Sequence, residues 1–112
     1  MPIANIDYSN LNLEEMAASI GLNVKHMPIL IGSFLSESEG ALERLSEAVE
    51  SRDYDNIREH AHFIKGSAGN LKFNELYEIS KEMEFAGTDK NESFEFEVYL
   101  EAIKKAIATI KV

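Results

Sequence analysis

The chain has 112 residues, no cysteine and a formal net charge of -9, from twenty acidic against eleven basic side chains. A single domain spanning residues 1–112 is expected, since this length supports one hydrophobic core without metal or disulfide help. The lack of cysteine excludes disulfides, zinc–thiolate sites and thiol catalysis, and the acidic surplus disfavours nucleic acid and anionic lipid as partners. The start, Met1-Pro2-Ile3-Ala4-Asn5, carries no basic leader pattern and no apolar run reaches bilayer length, so the expectation is a cytoplasmic monomer with no membrane insertion.

Nearly every segment repeats its apolar residues with helical period, and no sustained alternation marks a strand. Asn12 is placed to cap a short first helix over Leu13 to Ile20, which Gly21 ends in a left-handed turn. A long second helix follows Asn23 and tolerates Pro28 only in its first turns. Its apolar positions Ile31, Phe34, Leu35, Leu42, Leu45 and Val49 recur at three- and four-residue spacing, and Gly32 and Gly40 weaken it. Ser51-Arg52-Asp53 breaks the pattern, after which Asp53 or Asp55 caps a third helix. Asn74 is read as the cap of a fourth helix that buries Leu76, Ile79, Met83 and Ala86 and ends at Gly87. The polar run Thr88 to Glu92 is a loop. A last helix shows Phe96, Tyr99, Ile103, Ala106 and Ile110 as one stripe, with Lys104, Lys105 and Lys111 toward its negative end. The expected fold is all-α: an antiparallel up-and-down four-helix bundle with the short N-terminal helix packed across one end.

The third helix carries the chemistry. At about 100° per residue, Ile57, Ala61, Ile64, Ala68 and Leu71 share one narrow arc, the stripe a bundle buries. His62, Gly66, Glu59 and Gly69 fall opposite it, with Arg58 and Lys65 flanking the histidine one turn before and after. Two interior glycines cost a helix about 1 kcal/mol each relative to alanine, a cost that packing does not explain on an exposed face. An imidazole with a free lone pair near neutrality is a nucleophile, and cations beside it suit a phosphoryl group whose charge spreads over three oxygens. Gly66, one turn along, leaves the approach to His62 unobstructed. His60 falls at the edge of the core arc as a boundary residue, and His26 belongs to no pattern.

The stretch from His60 to Leu71 resembles the signature of histidine-containing phosphotransfer (HPt) domains of bacterial type. An alanine–histidine pair, Ala61-His62, is followed by Lys65, Gly66 and the small residues Ser67 and Ala68. The similarity continues through Glu75-Leu76 and Lys81-Glu82-Met83-Glu84, and back into the second helix. Two departures stand out: Ile64 replaces the usual leucine, and Lys72 replaces the glycine that often follows the position of Leu71. The resemblance implies that His62 is the phosphoacceptor of a phosphorelay in two-component signal transduction. It would take a phosphoryl group from an aspartyl phosphate on a response-regulator receiver domain, or from a hybrid histidine kinase, and pass it to another receiver. Lys65 would offset phosphoryl charge and Gly66 would clear the receiver's path, with Arg58, Ser67, Gly69 and Asn70 as supporting positions. It implies no cofactor of its own, Mg²⁺ arriving with the receiver, and a phosphohistidine carrier without kinase or ATPase activity.

Three other readings compete. Glu59 and His62 form one Glu-x-x-His pair of the di-iron kind, but such a site needs two inward-facing pairs, so no metal site is expected. A receiver-binding module that does not transfer would need no reactive histidine. The phosphoacceptor domain of a chemotaxis-type kinase shares the signature and would read the same way. A kinase dimerisation domain is disfavoured by Phe63 directly after the histidine and by the lack of ATP-binding glycine motifs.

Overall fold

The computed structural model describes residues 5–111. The reading of Met1 to Ala4 as free of a leader therefore falls outside the described residues. The helices are α1 (Leu13–Ile20), α2 (Met27–Ser51), α3 (Tyr54–Asn70), α4 (Asn74–Thr88) and α5 (Phe96–Ala108), with one 3₁₀ turn at Val24–His26 ahead of α2. α3 packs against α2 and α4, and α5 closes the square by packing on both α2 and α4. With short connections this is the up-and-down bundle expected from the spacing. No described helix is long and apolar enough to cross a membrane.

The core follows the apolar stripes. Ile57, Ala61, Ile64 and Ala68 of α3 are fully buried, and they share one core with Met27, Ile31 and Leu45 of α2, Leu76 and Met83 of α4, and Phe96 and Ile103 of α5, all fully buried. α1 lies against the 3₁₀ turn and the start of α2, burying Ala17. Its ends are those expected, with the Asn12 side chain accepting from the Glu15 N–H at 3.1 Å and Gly21 left-handed at φ 72°.

Local differences have local causes. Asn23 caps the 3₁₀ turn, accepting from the Lys25 N–H, so α2 itself starts at Met27 with Pro28 in its first turn, where the missing N–H costs nothing. Asp53, not Asp55, caps α3 by accepting from the Asn56 N–H. Asn74 is the first helical residue of α4 and not its cap. The capping comes from afar: the Tyr8 hydroxyl accepts from the Leu76 N–H at 3.2 Å and donates to Glu75 Oε1 at 3.1 Å, while its ring packs on Phe73. Burial raises the Tyr8 phenol well above its ordinary value, so it stays a neutral donor. Gly87 does not end α4, which continues to Thr88. A Cβ there would stand 3.1 Å from the Arg58 backbone nitrogen and 3.2 Å from the Tyr54 carbonyl oxygen, so glycine lets α4 approach the α3 backbone. Lys111 lies beyond the end of α5, leaving Lys105 in its last turn.

Lys72 shows how α3 ends without a glycine. It adopts a left-handed φ of 63°, its N–H donates to the Gly69 carbonyl, and the Phe73 N–H reaches back to the Ala68 carbonyl at 3.0 Å. The closing geometry is thus one glycine adopts freely, held here by a lysine at a cost of about 1 kcal/mol.

Candidate functional site

His62 emerges from the middle of α3, anchored by Ala61 and Ile64 in the core on either side of it. Its side chain is 61% exposed. Because α3 and α4 run antiparallel in close contact, the outer edge of α4 brings Glu84 beside the imidazole. Nδ1 of His62 lies 2.9 Å from Glu84 Oε2, and Lys65 Nζ forms an ion pair with the other carboxylate oxygen, Oε1, at 2.7 Å. One carboxylate therefore holds two α3 side chains that sit three residues apart.

Glu84 is itself buried, with its side chain only 12% exposed. Burial pushes its carboxyl up, but Lys65 and His62 outweigh that effect and hold it below the ordinary carboxylate value. An ionised carboxylate only accepts, so the imidazole must carry its proton on Nδ1 and donate it to Glu84. In the neutral ring, Nε2 on the opposite edge then keeps its lone pair for a nucleophilic role.

The two cations that flank the imidazole differ in their partners. Lys65 is committed to Glu84 and largely covered, 18% exposed. Arg58 is exposed, and its side chain forms no hydrogen bond or ion pair among the described residues. The sequence places Glu84 in the segment that resembles the family but assigns it no role, because the pairing depends on how α4 docks on α3. The only local hint was a glutamate on an otherwise buried helix edge.

A Cβ built on Gly66 meets no atom within 4 Å beyond its chain neighbours and its own helix backbone, so among the described residues no packing contact requires glycine there. Gly69 does pack internally, since a Cβ there would approach the Tyr77 ring at 3.1 Å. Ser67 and Asn70 lie apart from the Glu84 cluster, bordering a shallow depression shared with Leu30 and Ser33 of α2. Phe63 is 40% exposed beside the histidine. Glu59 and His62 do not converge on an inward site, and among the described residues no group of three or more His, Asp or Glu side chains is placed to hold a metal ion.

Comparison with known proteins returns one family. The family model described as Hpt domain matches residues 29–111, which covers all but the first two residues of α2, the rest of the bundle through α5 and the whole His62 cluster. No curated protein and no solved structure matches the chain.

Proposed function

The chain belongs to the Hpt domain family, and from its membership in this class of two-component phosphotransfer proteins we propose that His62 is the phosphoacceptor of a relay between receiver domains. The observation that carries the assignment is the Nδ1 contact with Glu84, which selects the tautomer leaving Nε2 free on an exposed ring.

In the proposed reaction the Nε2 lone pair attacks the phosphorus of an aspartyl phosphate held by a docked receiver. An N–P bond forms, the P–O bond to the aspartyl carboxylate breaks, and its electron pair leaves on that carboxylate. The Nδ1 proton stays in place, shared with Glu84, and stabilises positive charge building on the ring. Running the same steps backwards delivers the phosphoryl group to a second receiver. Positioning and electrostatics supply the catalysis, as phosphoryl transfer requires.

Lys65 acts in this scheme through Glu84, neutralising the carboxylate so that a phosphoryl group at Nε2 meets a locally neutral cluster. Gly66 leaves room for the receiver's surface. Mg²⁺ arrives in the receiver's acidic pocket. The direct test loads a receiver with labelled phosphate and incubates it with the chain. Acid-labile, base-stable label should appear on the wild type and be absent from His62→Gln; equal labelling of both would overturn the assignment.

A further inference from the structure

The ground beside His62 is not symmetrical. On the side away from Glu84, α2 and α3 enclose an open groove of about 400 Å³ whose boundary includes Glu37, Ala41, Arg44, Glu59 and Phe63. Ala41 is buried and Phe63 is 40% exposed, which together give the groove an apolar strip. His60 and His62 line it as well, and a Cβ on Gly40 would lie 3.4 Å from the Arg44 guanidinium Nη1. Glu37 and Glu59 are exposed, and neither forms an ion pair among the described residues. Beyond the groove, the outer face of α2 adds exposed Glu39, Glu43, Glu47 and Glu50. A larger depression, about 470 Å³, lies along α5 near Ile6 and Val98, but no α3 residue lines it.

Resting on the phosphoacceptor reading above, we propose that this groove selects the receiver: it takes a helix that carries one apolar side chain flanked by lysines or arginines. A channel between two helices accepts a third by ridge-into-groove packing, and an apolar side chain entering it covers the strip formed by Ala41 and Phe63. Carboxylates with no internal partner, close to the reacting atom, set the sign of the visitor. A basic helix gains at Glu37 and Glu59 and is steered by the acidic α2 face, whereas an acidic one is repelled. A second copy of this chain is a poor occupant, because it brings a net charge of -9 up to the acidic α2 face beside the groove.

The test begins with wild-type chain loaded at His62 by phosphoramidate, a small donor that needs no docking. Failure to load would defeat the phosphoacceptor reading and leave the groove out of account. Loaded chain is then offered to a panel of receiver domains from the encoding genome. Ranking by kcat/KM should follow positive charge on the receiver helix beside the phosphoacceptor aspartate. For the preferred receiver, Glu37→Lys with Glu59→Lys should lower kcat/KM by about tenfold or more at low ionic strength, per loaded chain, chiefly through KM. Added salt should slow the wild type and narrow that gap. A preference for receivers with an acidic helix would overturn the proposal, as would transfer by the double variant at wild-type rates. So would a concentration-dependent dimer of the chain that the same substitutions abolish.

Discussion

Glu84→Gln isolates the carboxylate that joins His62 to Lys65, and its effect has a definite dependence on pH. The amide keeps the shape and can still accept from Nδ1. It exchanges a charge-assisted hydrogen bond for a neutral one and leaves Lys65, 18% exposed, without its counter-ion. Bonds to charged groups contribute about 1.5–3 kcal/mol and neutral ones about 0.5–1.5. With the partners partly solvated, the expected loss at neutral pH is about 1–2 kcal/mol, or about 5–10 °C in Tm for a domain of this size. The Glu84 carboxyl lies below its reference value of 4.5 in the folded protein. Its stabilisation is therefore complete above that value and fades as the pH falls through the lower, folded pKa. Glutamine has no such proton. Urea unfolding followed by far-UV circular dichroism should show wild type and variant furthest apart near neutrality and converging in acid. In the same variant, nitrogen NMR should show the His62 proton redistributing from Nδ1 toward Nε2, with transfer slowed severalfold. A stability gap that stays constant into acid, or a variant whose tautomer is unchanged, would refute the clamp.

The glycines divide by what surrounds them. Gly66→Val should leave the unfolding midpoint within about 0.5 kcal/mol of wild type, because the new side chain meets open space. It should nevertheless slow transfer from a receiver tenfold or more, measured by single-turnover labelling; a variant that unfolds would make Gly66 a packing residue. Gly87→Ala should destabilise by about 1–2 kcal/mol despite alanine's better helix propensity, since the methyl group presses on α3 backbone atoms that cannot move aside. Lys72→Gly should stabilise by about 0.5–1 kcal/mol by relieving the left-handed lysine at the end of α3, which thermal unfolding will register.

The bundle was legible in the chain because each helix buries a stripe that local spacing alone dictates. Ile57, Ala61, Ile64 and Ala68 lie inside for the same reason that His62 and Gly66 lie outside: a period of 3.6 residues sorts them before any partner helix is present. The cap at Asn12 was readable on the same terms, since a cap acts within a single turn, whereas the choice of Asp53 over Asp55 ahead of α3 was left to the structure.

What tertiary structure decided are the contacts that cross between elements. Asn74 looked like a cap because its residue type suits one, yet the donor there is satisfied by Tyr8, 68 positions earlier in the chain for Leu76. Gly87 looked like a helix end, and only the proximity of α3 shows that it is a packing site. Lys65 looked like a free cation, and Glu84, 22 residues from His62, turns both into members of one charge-balanced cluster. The chain by itself determined which residues could face solvent together on α3. The docking of α4 determined which imidazole nitrogen holds the proton, because a tautomer is selected by a partner in space, and helical periodicity carries no information about a neighbouring helix.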